Sequence, residues 1–258
     1  MVRKYYVLLL SMLGFFIASI FLINENSYAD KGRRYYEETG KVLWEIKTDE
    51  KVIALTFDDG PHKKYTPEIL EVLAQYDAKA TFFIVGEYAE KNPSLTLRVH
   101  EEGHELAIHT YTHPLKTNVS NLIKEIKETH ATIFGISGYS PVLFRPVEGQ
   151  YTDAMVEAIA KEGYKVVMWS WHLDTFDWKR PGKKKIVDTV LKGAKPGSVV
   201  LLHDGGGNRE QTVQALEEIL PELQKQGYKF VTISELLKIQ NATTQNNNSS
   251  TYVEPSQN

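Results

Sequence analysis

At 258 residues, 42% hydrophobic and 24% charged, the chain is long enough for one large domain or two small ones and can bury a sizeable core. A net charge of −3 leaves no overall basic field to draw it onto nucleic acid. The absence of cysteine excludes a disulfide framework, a thiolate metal site and a cysteine nucleophile, so any metal has to be held by His, Asp or Glu.

Arg3 and Lys4 precede an apolar run from Tyr5 to Ile23, which is followed by polar Asn24-Glu25-Asn26 and small residues up to Ala29. Residues 1–29 therefore read either as a signal peptide cleaved after Ala29 or as a retained membrane anchor through residues 5–23. Both place the remainder on the extracytoplasmic side, whether secreted, in the cell wall or held at the outer membrane face. Residues 30–50 read as a linker or N-terminal extension and 51–239 as one folded domain. The Asn/Thr/Ser/Gln-rich stretch 240–258 reads as a disordered polar tail.

Along the folded body, strand-like runs are expected at Val52–Phe57, Ala80–Val85, Glu105–His109, Val142–Arg145, Lys165–Ser170, Ser198–His203 and Lys229–Thr232. Helical patterns fall between them at Thr66–Gln75, Ser94–Glu102, Val119–Phe134, Thr152–Glu162, Lys184–Lys192 and Gln211–Gln226, with Ser234–Lys238 closing the series. Gly103, Gly163 and Gly227 sit where helices should stop. Such alternation predicts parallel strands with helical crossovers, an α/β layer architecture or barrel. The basic run Lys179–Arg180 with Lys183, Lys184 and Lys185 reads as a solvated helix start.

The polar residues lie at strand ends. Asp58 and Asp59 follow the first run, His109 ends the third, Arg145 the fourth and His203 the sixth. In a β/α barrel the carboxyl ends of all strands converge on one face, where barrel enzymes place their chemistry. His109-Thr-Tyr-Thr-His113 can offer two imidazole nitrogens to one metal. Of the two adjacent carboxylates in Thr56-Phe57-Asp58-Asp59-Gly60-Pro61, one can complete a mixed His/carboxylate site and the other can take a proton from water. His203, in Leu201-Leu202-His203-Asp204-Gly205, is a candidate general acid. The acidic pair of Asp174-Thr-Phe-Asp177-Trp178 is a candidate to raise its pKa, and Arg145 to pair with and orient Asp58.

Taken in order, Thr-Phe-Asp-Asp-Gly, His-Thr-x-x-His, Arg-Pro-x-x-Gly, Asp-x-x-Asp-Trp and Leu-x-His resemble the five motifs of the NodB-homology polysaccharide deacetylases, carbohydrate esterase family 4, over about Val52 to Leu237. The resemblance implies a distorted (β/α) barrel of about seven parallel strands. It implies that Asp59, His109 and His113 bind a divalent metal, zinc first, with cobalt, nickel or another transition metal as alternatives. Asp58 is then the catalytic base, His203 the acid, Arg145 the partner of Asp58 and Asp177 the partner of His203. Trp178 and Leu201 would wall the acetyl pocket, and the backbone N–H of Glu148 would face the oxyanion. The implied substrate is an N-acetylated polysaccharide, peptidoglycan or a chitin-like polymer, with no nucleic acid and no protein partner. O-acetyl ester cleavage, as on xylan, and a catalytically silent glycan-binding wall protein stay open as alternatives.

The third motif departs from the family's usual Arg-Pro-Pro-Tyr-Gly, with Val147 and Glu148 in place of the second proline and the tyrosine. A backbone donor survives that change. The added carboxylate either disfavours anionic substrates or points to solvent. Trp169 and Trp171, at strand spacing, are expected on one face as barrel packing, and His172 as a local hydrogen-bonder.

Overall fold

Among the described residues, eight strands, all paired in parallel, form a single sheet. The computed structural model describes residues 31–250, so the apolar leader and its Ala29 site lie outside the described residues. The strands are β1 Val42–Leu43, β2 Val52–Gly60, β3 Ala80–Ile84, β4 Glu105–Ile108, β5 Leu143–Phe144, β6 Lys165–Val167, β7 Ser198–His203 and β8 Lys229–Phe230. Their order is β1-β6-β5-β4-β3-β2-β7, with β8 paired to β2 beside its start. The helices are α1 Gly32–Glu38, α2 Tyr65–Gln75, α3 Gly86–Lys91, α4 Pro93–Glu101, α5 Val119–Ser137, α6 Asp153–Lys161, α7 Lys183–Gly193, α8 Glu210–Lys225 and α9 Ile233–Ser250.

The sheet curls but does not close through regular strands. Irregular backbone after β6 completes the ring against β7: the Ser170 N–H donates to the Val199 carbonyl at 3.0 Å, and Asp174 bridges Leu201. Ile46, after β1, donates to the Gly197 carbonyl at 3.0 Å. The expected distorted barrel is therefore what the chain forms, with β1 in addition to the strands read from sequence.

Alternation along each strand divides the core in two. Ile53, Leu55, Phe57, Phe82, Leu106, Phe144, Val200 and Leu202 face outward and pack under the helices. Val52, Ala54, Phe83, Ala107, Leu143, Val167 and Val199 fill the interior. The same inward parity, followed toward the carboxyl ends, reaches Thr56 and Asp58, His109, Arg145, Trp169, Leu201 and His203. One alternation thus builds an apolar floor below and a polar mouth above.

The floor is sealed by the start of α9, where Ile233 and Leu236 join the interior cluster. Its first amides are satisfied inside the barrel: Ile233 N–H donates to Thr81 Oγ1 at 2.9 Å and Ser234 N–H to Glu105 Oε2 at 3.1 Å. The Ser234 hydroxyl also donates to Glu105, whose carboxylate suits the partial positive charge of a helix start.

Three expectations change. Within the stretch expected as a linker or N-terminal extension, residues 31–50 carry α1 and β1, and Tyr36, Trp44 and Ile46 are buried; a two-residue strand is too short to show a period. The polar stretch from Gln240, expected to be disordered, continues α9 as far as Ser250. Extending a helix whose first turn is already docked is far easier than nucleating one, so polar residues of modest propensity can follow. Strands β3, β4, β5, β6 and β8 also stop earlier than their expected runs, whereas β7 keeps its expected bounds. α3 is not among the expected helices; elsewhere the bounds of the expected helices agree within a few residues, and Gly103, Gly163 and Gly227 end their helices at φ of +80°, +87° and +86°.

Glu105→Ala should remove the acceptors that anchor α9 and lower unfolding free energy by about 2 kcal/mol. Denaturant titration, with hydrogen exchange at the Ile233 and Ser234 amides, measures both; unchanged protection there would contradict the anchoring role.

Candidate active site

The barrel mouth holds a cleft of about 350 Å³ lined by Asp58, Asp59, His109, His113, Glu148, Trp178, Leu201 and His203, joined by Gly149, Trp169, Asp174, Gly206 and Arg209. Of the residues picked from sequence, Arg145 and Asp177 are not in the lining. Each is buried behind a residue that is.

Asp59, His109 and His113 offer one ligand atom each, all within 4.8 Å of one another. Asp59 Oδ1 lies 3.1 Å from His113 Nε2 and 3.5 Å from His109 Nε2. His109 Nδ1 sits 2.9 Å from the Arg145 carbonyl. A carbonyl only accepts, so Nδ1 carries the proton and the Nε2 lone pair is left facing Asp59. Burial alone would raise the Asp59 pKa, but the adjacent imidazoles of His109 and His113 outweigh it and hold the carboxylate well below its ordinary value. The same contact with Asp59 raises the His113 pKa despite burial. Two imidazole nitrogens and one carboxylate, partly open to a cleft, are a donor set that fits a transition metal with positions to spare.

Backbone strain shapes this corner. Asp59, Thr110, His113 and Glu148 all have positive φ, at 71°, 64°, 57° and 53°. Such conformations in non-glycine residues persist only where surroundings impose them. Around Thr110 the imposing group is Glu125, buried on α5. It accepts from the amides of Tyr111 and Thr112 at 2.8 and 2.7 Å and from the Thr112 hydroxyl at 2.9 Å. Around Asp59 it is the close approach of Gly205, where an added Cβ would stand 1.8 Å from the Asp59 carbonyl oxygen.

Arg145 is fully buried. Its Nη1 donates to Asp58 Oδ1 at 2.7 Å and to Thr56 Oγ1 at 2.8 Å, its Nη2 to the Met168 carbonyl at 2.8 Å and its Nε to the Val167 carbonyl at 3.1 Å. The guanidinium carbon lies 4.0 Å from the Phe83 ring centroid. Asp58 and His203 are register partners on β2 and β7, so they stand side by side.

Behind His203, the Asp177 carboxylate accepts from its Nδ1 at 2.7 Å, from its backbone amide at 2.9 Å and from the Thr212 hydroxyl at 2.8 Å. Burial would depress the His203 pKa, but the Asp177 charge, aided by Asp58 and Asp59, pushes it up to about 9. In return His203 overcomes the burial that would raise Asp177 and lowers that carboxyl. Burial pushes the neighbouring Asp204 up to about 7. One Asp204 oxygen accepts from the Thr66 hydroxyl and the other has no partner.

Glu148 lines the cleft, exposed, and accepts from Gln150 Nε2 at 2.7 Å. Trp169 lines it too while packing on the core, but Trp171 is 62% exposed, against the expectation of shared barrel packing. The sheet ends at Val167, and the period of two is lost before Trp171. His172 reaches the Gly193 carbonyl at 3.1 Å, as a local hydrogen-bonder should. Sequence reasoning missed Glu125, Thr56, Thr212 and Arg209. Glu125 had a signal, since it falls on the stripe Leu122, Ile126, Thr129, Ile133 that α5 buries.

Arg145→Met should strand Asp58 as a buried, unpaired charge and cost about 3–5 kcal/mol. If Arg145→Met/Asp58→Asn recovers much of that loss in chemical denaturation, the pair is the cause; no recovery would contradict it.

A polysaccharide deacetylase family model matches residues 45–167. The peptidoglycan-N-acetylglucosamine deacetylase of Bacillus cereus is 49% identical over 208 residues, covering 80% of this chain and 97% of that protein. The structure of peptidoglycan deacetylase PdaC from Bacillus subtilis superposes with a TM-score of 0.72 at 35% identity, covering 81% of this chain and all of that one. A CE4 family pseudoenzyme from Bacillus anthracis superposes at 0.69 with 31% identity, over 76% and 68% of the two chains. Barrel, motif order and these likenesses agree: the chain belongs to the polysaccharide deacetylase family.

Proposed function

We propose that the chain removes N-acetyl groups from N-acetylglucosamine residues of peptidoglycan, outside the cytoplasm. A fold shared with a pseudoenzyme does not by itself imply turnover. The observation that carries the reading is the placement of Asp58, the Asp59–His109–His113 triad and His203 around one cleft, each supported from behind. A silent glycan-binding protein has no chemical use for so complete a set.

Asp58, oriented by Arg145, accepts the proton of the attacking water. His203, carrying a proton below about pH 9, donates to the sugar nitrogen as the C–N bond breaks, and acetate and a free amine depart. Trp178 and Leu201 wall the pocket that takes the acetyl methyl, and the Glu148 amide N–H serves the developing oxyanion. When bound by Asp59, His109 and His113, a divalent transition metal, most simply zinc, supplies a Lewis acid that polarises the carbonyl and acidifies water. These groups serve an ester as well as an amide. The amide is favoured because a relative with 49% identity is a peptidoglycan-N-acetylglucosamine deacetylase.

Export is proposed from Arg3, Lys4 and the apolar run to Ile23. Among the described residues no helix is long and apolar enough to cross a membrane.

Asp58→Asn should lower acetate release from peptidoglycan fragments by at least about a hundred-fold while metal content stays unchanged. Near-normal turnover in that variant, or release from acetylated xylan alone, would defeat the assignment. The raised pKa of His203 means its proton is present at neutral pH and lost as pH rises through about 9, so the alkaline limb of kcat belongs there. Asp177→Asn removes the neighbouring charge, and the limb should move to lower pH; a pH–rate profile with an unmoved limb would refute the pairing.

A further inference from the structure

Arg209 lines the cleft, yet the proposed reaction gives its side chain no task. It is only 3% exposed and stands immediately before α8, where its own carbonyl accepts from the Thr212 and Val213 amides at 3.0 and 3.1 Å. This is a costly place for a cation. A helix start carries partial positive charge, and burial strips the guanidinium of water. Among the described residues its hydrogen bonds all go to carbonyls and none to a carboxylate.

What the guanidinium meets is the loop after β7. Its Nε donates to the Gly205 carbonyl at 2.7 Å, its Nη2 to that of Gly206 at 3.0 Å and its Nη1 to that of Asn208 at 3.2 Å. The donors of a guanidinium lie in one rigid plane, so three carbonyls gathered on it fix the path of the loop as a unit. The plane is anchored in turn by α8, which buries Thr212, Ala215 and Leu216.

That loop leans on Asp59. A side-chain carbon on Gly205 would stand 1.8 Å from the Asp59 carbonyl oxygen. One on Gly206 would stand 2.4 Å from Asp59 Oδ2 and 3.3 Å from Arg209 Nη2, so Gly206 is the spacer between guanidinium and carboxylate. Its φ of +70° is one that glycine adopts without strain. With Oδ2 against Gly206, the other oxygen, Oδ1, faces His113 and His109 at 3.1 and 3.5 Å. The two histidines are supported from elsewhere, His109 by the Arg145 carbonyl and the turn before His113 by Glu125.

Charge alone would work against a metal ion, because a cation one glycine away from Asp59 repels it. We propose that Arg209 is a positioning residue for the metal site: by gathering the loop carbonyls it holds Gly205 and Gly206 against Asp59 and aims Oδ1 at the point where His109 and His113 converge. The inference rests on the metal-site reading of Asp59, His109 and His113. It adds the group that orients the one ligand which Arg145 and Glu125 do not reach.

The test is the zinc affinity of the metal-depleted full-length chain, read by competition with a chromophoric chelator in the absence of glycan. Arg209→Met should weaken zinc binding by about ten- to a hundred-fold, the loss expected when a group that orients a ligand is removed. Gly206→Ala, whose added carbon displaces Asp59 Oδ2 while Arg209 stays, should weaken it too. Glu105→Ala, at the amino end of the barrel, should lower stability yet leave zinc affinity unchanged, which separates aim from a general loss of stability. Unchanged or tighter zinc binding in Arg209→Met overturns the proposal. So does a raised glycan KM at normal zinc affinity, which would make Arg209 a substrate contact. Should Arg209→Met not fold, Arg209→Gln is read by the same criteria. No zinc uptake by the unmodified chain ends both the metal site and this role, whereas zinc uptake without glycan turnover ends only the deacetylase reading.

Discussion

A guanidinium shut off from water stands at the centre of this barrel, and the mouth is organised around it. Arg145 bonds Asp58 and Thr56 on β2 and the carbonyls of Val167 and Met168 at the end of β6, with the Phe83 ring against its face. A buried ion pair gains little unless its remaining donors and lone pairs are met, because both ions have been stripped of solvent. Here most of the donors are met, by groups that β2 and the end of β6 bring together. The same residue's carbonyl also receives the His109 Nδ1 proton, so one backbone and side-chain unit orients both the carboxylate and a metal-ligating ring.

Around that centre the cleft is held by groups that never touch its contents. Glu125 pins the Tyr111 and Thr112 amides, Asp177 grips the His203 ring and amide, and Gly205 lets the β7 loop press against the Asp59 backbone. Positive φ at Asp59, Thr110, His113 and Glu148 concentrates strain where a few side chains must converge. Strain of this kind costs stability locally, and the packed barrel beneath supplies the rigidity to keep it. The charges are divided as well: a buried cation faces Asp58, while a buried anion faces His203 and pushes its pKa up to about 9. Acid and base differ through the sign of the charge behind each.

Much of this was legible in the residues. Apolar runs bounded by glycine marked the strands and helices because burial imposes period two on a sheet and 3.6 on a helix. Polar residues at run ends marked the mouth because a parallel barrel gathers strand ends on one face. The reading failed where the local signal was weak or misleading. Val42–Leu43 is too short to show a period, the stretch after Val167 keeps strand-like residues but pairs with β7 only through irregular backbone, and the helix past Gln240 inherits its order from a docked first turn.

By itself the sequence determined the element order, the parity that sends Asp58, His109, Arg145 and His203 inward, and the chemical kinds of the site's groups. All of these follow from local alternation and residue type. Only the tertiary structure decided which atoms meet: that the Arg145 carbonyl selects the His109 tautomer, that Ser170 and Asp174 close the barrel against β7, and that Gly206, backed by Arg209, comes against the Asp59 carboxylate. Such contacts join residues remote along the chain, and their geometry is set by strand stagger and loop path, which no local pattern encodes.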